Sequence, residues 1–148
     1  MELIEKAKQD DIGAMADLLR ALFDQEADFA PDRAKQTRGL TLILNAPETG
    51  QLFVARRNGE VVGMIGLLFT VSTALGSRVC WLEDMVVRPD CRGSGLGSRL
   101  LAHAIDYASS QGFGRITLLT DRVNANAQRF YARHGFTLSE MTPMRLIT

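Results

Sequence analysis

Residues 79–105 read Val79-Cys-Trp-Leu-Glu-Asp-Met-Val-Val-Arg-Pro-Asp-Cys-Arg-Gly-Ser-Gly-Leu-Gly-Ser-Arg-Leu-Leu-Ala-His-Ala-Ile105. The apolar run Val79 to Val87 stops at Arg88-Pro89, because proline lacks an N–H and interrupts a strand ladder. A basic glycine loop follows, Arg92-Gly93-Ser94-Gly95-Leu96-Gly97. Leu96, Leu100, Leu101, Ala104, Ile105 and Ala108 then recur at helical spacing, so a helix begins inside the loop. Strand, glycine loop and helix N-terminus together present backbone N–H groups in front of a positive helix end. That arrangement suits a phosphate or pyrophosphate.

The loop alone leaves its ligand open. A dinucleotide fingerprint belongs to the first strand of a βαβ unit, with an acidic residue about 20 positions later. This loop lies late in the chain, behind a hairpin, and lacks the Lys-Ser/Thr that ends a nucleoside-triphosphate loop.

The surrounding chain narrows the choice. Its 148 residues amount to one domain, 1–148, large enough to bury a core without disulfides. Seventeen basic and 17 acidic side chains cancel, which argues against a nucleic-acid binder. No apolar run is long enough to cross a bilayer, so no membrane partner is expected. Met1-Glu2-Leu3-Ile4-Glu5 lacks the features of a signal peptide, and Cys80 and Cys91 show no metal-type spacing. A reduced, cytoplasmic protein is the simplest reading.

Taken in order, Leu3, Ile4 and Ala7 suggest a first strand. Asp10 or Asp11 caps a helix with apolar side Ile12, Met15, Leu18, Leu19, Leu22 and Phe23. Asp24, Glu26 and Asp28 form an acidic turn: a solvated helix end, or an acidic lip that attracts a cation. A second helix spans 34–45, with Gly39 counting against it. Strands over 51–57 and 60–70 are joined at Asn58-Gly59, a strong hairpin signal, and Gly63 and Gly66 mark a bulge or close packing. After the glycine loop come a helix from Leu96 to Gln111, a strand over 115–120 and a helix from Asn124 or Asn126 to His134. Phe136 to Leu138 and Met144 to Ile147 read as closing strands. The class is mixed α/β, with helices on both faces of the sheet.

A second block decides the ligand. Asn124-Ala-Asn-Ala-Gln-Arg-Phe130-Tyr131-Ala-Arg-His-Gly135-Phe136 follows the pattern Asn-x-x-Ala-x-x-Phe-Tyr-x-x-x-Gly-Phe. With Arg92-x-x-Gly95-x-Gly97 and the lead-in Val86-Val87-x-Pro89, the chain resembles the GNAT superfamily of acetyl-CoA-dependent N-acetyltransferases over essentially its whole length. Leu82-Glu83-Asp84 is similar, over a shorter stretch, to the diamine and small-amine acetyltransferases.

The resemblance implies a mostly antiparallel sheet in which one parallel strand pair splays apart to admit acetyl-CoA. Met85, Val86 and Val87 would bind the pantetheine arm. Arg92, Gly93, Ser94, Gly95, Leu96, Gly97 and Ser98 would cradle the pyrophosphate. Asn124 would contact the arm, Phe130 would pack beside it, and Tyr131 would stand near the sulfur. For direct transfer to a primary amine, Glu83 is the expected base, reached directly or through water. Asp84 is expected on the opposite strand face by the period of two. The Met85 N–H would stabilise the developing oxyanion, and Tyr131 would donate to the leaving thiolate. Trp81, on the Glu83 face, either walls the substrate pocket or packs in the core. Cys80 and Cys91 are bystanders, the latter loop-placed and open to modification. His103 falls on an exposed helix side, His134 ends a helix, and no metal is expected. The acidic lip favours a small cationic acceptor. A protein N-terminus or lysine, or a non-catalytic acyl-CoA-binding module, are the alternatives. Dimers are common in the family, so a homodimer is one assembly open to the chain.

Overall fold

The second strand is buried on both faces from Leu52 to Ala55, and that double burial organises the molecule. In a computed structural model, which describes residues 1–24 and 32–148, this strand is β2, Gly50–Arg57. Leu52 and Val54 belong to a buried cluster with Met15, Leu18, Leu19 and Leu40. Phe53 points the other way, edge-on to His103 and Tyr107 at 4.9 and 5.1 Å between ring centres. Helices therefore cover both faces: α1 (Ile12–Phe23) and α2 (Arg33–Leu44) on one, α3 (Leu96–Ser110) on the other. His103, expected on an exposed helix side, is half-buried against Phe53 instead.

The described residues separate into two compact units, Met1–Leu118 and Leu119–Thr148. The first holds a five-stranded sheet in the order β1-β2-β3-β4-β5. Here β1 is Glu2–Lys6, β3 Glu60–Ser72, β4 Ser77–Val87 and β5 Ile116–Leu118. Neighbours from β1 to β4 run antiparallel. β4 and β5 are parallel, in register from Cys80↔Ile116 to Leu82↔Leu118, and β4 continues to Val87. The β2–β3 hairpin turns at Asn58 and Gly59, both at positive φ (50° and 84°), as a type I′ turn requires.

Gly63 and Gly66 serve both expected purposes. The β2–β3 register shifts beside Gly63 and the β3–β4 register beside Gly66. A Cβ on Gly66 would lie 3.1 Å from Leu52 Cδ2, and one on Gly63 3.4 Å from Leu100 Cδ2.

The start of α1 departs from a simple cap. Asp11 makes no cap bond to α1; its carboxylate accepts from the Lys8 N–H (2.8 Å) and from both Arg56 Nη atoms (2.8 Å each). Arg56 Nε also donates to Glu5 at 2.6 Å, so one guanidinium ties β1, β2 and the entry to α1 together.

The second unit contains α4, Ala125–Arg133, and residues 136–148 form no strand there. The alternation at Met144 to Ile147 marks two faces, but a strand also needs a ladder partner. Met144, Leu146 and Ile147 are exposed. Among the described residues no helix is long and apolar enough to cross a membrane.

Candidate active site

The strand β4 does not keep its alternation to the end. Opposite β3 it pairs Glu83↔Gly66 and then Val86↔Met64, so Asp84 and Met85 share the place of one residue. This is a β-bulge, and Asp84 sits in it at φ +55°, a left-handed conformation that Asp and Asn tolerate better than most residues. Glu83 and Val86 consequently lie on the same sheet face although three residues apart. Gly66, the partner of Glu83, faces Leu52, and Val86 packs in the α1–α2 cluster.

Asp84 also lines a pocket on that side, the reverse of what strict alternation predicts. The pocket encloses about 290 Å³ between α1, α2 and β4. Leu19, Phe23, Leu40 and Ile43 make apolar walls, joined by Asp32, Lys35, Gln36 and Gly39. Asp32 caps α2 by accepting the Lys35 N–H at 3.1 Å. Gly39 keeps space open, since a Cβ there would meet nothing within 4 Å. Trp81 stands on the Glu83 face by its register with Leu68, and it is 38% exposed, so it is not a core residue.

Beyond Val87 the chain makes a short 3₁₀ turn, Pro89–Cys91, and enters the glycine loop. Gly93 and Gly95 adopt φ of 81° and 82°; a Cβ on Gly95 would also approach Arg99 Nη1 to 3.0 Å. The loop is pinned from below. Arg57 Nη2 donates to Ser94 Oγ (2.8 Å), Ser94 Oγ donates to the Cys91 carbonyl (2.9 Å), and Arg92 Nε donates to the Val87 carbonyl (3.1 Å). Gly95 is the N-cap of α3 and has no side chain with which to cap it. The first N–H groups of a helix have no acceptor within it, so this turn presents donors to an anion.

In the second unit Asn124 caps α4, its Oδ1 accepting the Ala127 N–H at 3.0 Å. Tyr131 packs edge-on to Phe130 (5.2 Å) and Phe136 (5.7 Å). Burial raises the pKa of its hydroxyl, so at neutral pH the group is a proton-bearing donor.

Two sites, a donor-rich loop and an acid-lined pocket, thus flank one bulged strand. The sequence profile of the acetyltransferase (GNAT) family matches residues 12–136. The chain belongs to that family. Among its GNAT relatives, the uncharacterized N-acetyltransferase YhfO of Bacillus subtilis (strain 168) is 33% identical over 136 residues, 90% of this chain and 88% of its own length. The aminoalkylphosphonate N-acetyltransferase of Salmonella typhimurium is 38% identical over 86 residues, 58% of this chain and 56% of that protein. A predicted acetyltransferase from Clostridium acetobutylicum, solved with acetyl-CoA, shares the fold with a TM-score of 0.78 at 20% identity, over 98% of this chain and 96% of that one. This GNAT chain is accordingly an N-acetyltransferase, and acetyl-CoA is the acyl donor its family uses.

The expected site residues divide among these places. Met85, Val86 and Val87 lead directly into Arg92–Ser98 in the first unit, with Trp81 and Glu83 just upstream. Asn124, Phe130 and Tyr131 lie on or beside α4 of the second. Asp24 is the exposed C-cap of α1, while Glu26 and Asp28 fall outside the described residues. Cys91 is buried rather than open to modification, and burial pushes the Cys80 thiol up to about 11, leaving it without thiolate character at neutral pH. Sequence reasoning missed Gln36, Gly39, Leu40 and Ile43 as pocket residues. Gly39 alone carried a signal, as a glycine inside a helix.

Proposed function

We propose that this enzyme acetylates the primary amine of a small cationic molecule by direct attack in a ternary complex, with residues 1–148 acting as one domain. The observation that carries the reading is Asp84 in the lining of a pocket beside Glu83. The pocket volume of about 290 Å³ is at the small end for ligand sites, about 300–1,000 Å³. Support for one domain comes from the family profile, which runs through both units. The aminoalkylphosphonate acetyltransferase among the relatives also points to a small amine.

The loop fits acetyl-CoA: two left-handed glycines and an α3 N-terminus without a side-chain cap offer donors to a pyrophosphate. Arg92, Gly93, Ser94, Gly95, Leu96, Gly97 and Ser98 would hold it there, Met85 to Val87 and Asn124 would take the pantetheine arm, and Phe130 would pack beside it. When bound, acetyl-CoA supplies a thioester carbonyl as the electrophile. The protein's part is proton handling and charge stabilisation. Glu83 takes the proton from the acceptor ammonium, directly or through water, which frees the nitrogen lone pair. The Met85 N–H donates to the carbonyl oxygen as it gains charge, and the Tyr131 O–H donates to the sulfur as the C–S bond breaks. Holding both reactants in place removes the need for an enzyme nucleophile.

Thiol release from acetyl-CoA over an amine panel tests the reading. Small cationic amines should be turned over, and Asp24→Asn or Glu26→Gln should lower their efficiency. Unchanged efficiency removes the acidic lip, and activity confined to peptide amines removes the small-molecule acceptor. Glu83→Gln should depress the alkaline-rising limb of the rate–pH profile, and an unshifted limb points to another base.

A further inference from the structure

Arg99 stands in the first turn of α3, where a cation meets the positive end of the helix and is unfavourable. Glu2 of β1 offsets it. The Glu2 carboxylate accepts from Arg99 Nε at 2.6 Å and from Nη2 at 2.9 Å, a two-point pair that fixes the plane of the guanidinium. Glu2 Oε2 also accepts from Nε and Nη2 of Arg57, each at 3.3 Å, and the two residues are cross-strand partners on β1 and β2. Both arginines then reach the glycine loop at one residue. Arg57 Nη2 donates to Ser94 Oγ at 2.8 Å, and Arg99 Nη1 donates to the Ser94 carbonyl at 3.3 Å. Ser94 lies between Gly93 and Gly95, whose left-handed backbones set the direction of the loop's N–H groups.

Each nitrogen of the Arg99 guanidinium has a partner within the chain. We propose that Glu2 is a positioning residue for acetyl-CoA: it holds Arg57 and Arg99 against Ser94, and so keeps the glycine loop in the conformation that offers its N–H groups to the pyrophosphate. In this role Glu2 touches no reactant and acts only through the two arginines. A loop that leaves its competent conformation part of the time binds with an affinity reduced by the fraction that remains competent. Charge alone predicts the opposite sign, since deleting a carboxylate near an anion site strengthens the field that attracts the anion. The direction of the effect therefore separates positioning from bulk electrostatics. The inference rests on reading the loop as the pyrophosphate site.

Isothermal titration of coenzyme A into the native enzyme and into Glu2→Gln reads the effect without catalysis. The Kd should rise by about threefold or more in Glu2→Gln. Arg57→Gln, which deletes the donor to Ser94 Oγ directly, should raise it at least as far. Glu5→Gln is the control. It removes another β1–β2 ion pair, to Arg56, which reaches Asp11 at the entry to α1 instead of the loop, and its Kd should match the native value. Thiol release then locates the effect, because S-acetylpantetheine carries the same thioester without a pyrophosphate. With an amine the enzyme turns over, Glu2→Gln should lower kcat/KM for acetyl-CoA by about threefold or more and keep that for acetylpantetheine within about twofold of native. Turnover at saturating acetyl-CoA should be retained. Unchanged or tighter coenzyme A binding in Glu2→Gln overturns the proposal. So does an equal loss with both acyl donors, which marks general damage to the fold. A native enzyme that binds pantetheine as tightly as coenzyme A would instead remove the loop as a pyrophosphate site, and this inference with it.

Discussion

Replacing Asp84 by glycine and by alanine separates the backbone of the β4 bulge from the carboxylate it displays. Both variants delete the same side-chain oxygens, so whatever those oxygens contribute cancels in the comparison. What remains is the φ of +55°. A left-handed conformation costs an alanine about 1–2 kcal/mol. Glycine avoids that cost but loses more chain entropy on folding, by about 0.5–1 kcal/mol relative to alanine. The difference leaves Asp84→Ala less stable than Asp84→Gly by about 0.5–1 kcal/mol. For a protein of 148 residues that is about 1–4 °C in melting temperature. Thermal unfolding followed by circular dichroism at neutral pH reads the difference directly. At an ordinary strand position the order reverses, with alanine the more stable. An alanine variant that melts at or above the glycine variant would refute the strained bulge, and with it the account of why Asp84 reaches the pocket.

Three other perturbations follow from the same geometry. Tyr131→Phe should lower turnover more than affinity for acetyl-CoA, measured by steady-state thiol release beside a binding titration; equal turnover refutes the hydroxyl's role. Arg56→Gln should cost about 2–4 kcal/mol at neutral pH, because it strands the buried Asp11 carboxylate. The hydrogen bonds from Arg56 hold Asp11 below its ordinary 3.8, so in the native protein the stability from this pairing is present above 3.8 and lost as pH falls through the lower folded value. Denaturant unfolding should therefore show the gap between native and variant shrinking in acid, and a pH-independent gap contradicts the assignment. Gly39→Ala should gain up to about 1 kcal/mol, since a Cβ there meets open space and alanine favours helix, whereas Gly39→Leu should raise KM for amines by narrowing the pocket. A KM unaffected by leucine argues against an acceptor bound there.

Much of the architecture was legible from local signals. The Asn58-Gly59 turn, the apolar spacing of α1 and α3, and the stops at Pro89 and Gly112 each depend on chemistry within a few residues, and each element formed where those signals placed it. Asn124 likewise caps α4 as its position suggests. The misreadings share a cause. His103 looked exposed because a helix wheel cannot show which neighbour approaches from the sheet, and Phe53 does. The segments 136–138 and 144–147 have strand-like patterns, but no β-ladder forms there.

The opening stretch, 79–105, determined by itself that a strand runs through a glycine loop into a helix, and with residues 124–136 it pointed to the family. Those properties follow from residue types at fixed spacing: proline stops a ladder, and glycine admits positive φ. Only the tertiary structure decided which side chains face the pocket between α1, α2 and β4. The β4 bulge arises from pairing with β3, and one extra residue turns Asp84 toward helices that lie far from it in sequence. Gln36 reads as an ordinary polar helix residue until the packing of α1, α2 and β4 buries it with a donor left over. Face and burial are set by contacts between distant segments, and no local pattern in the chain encodes them.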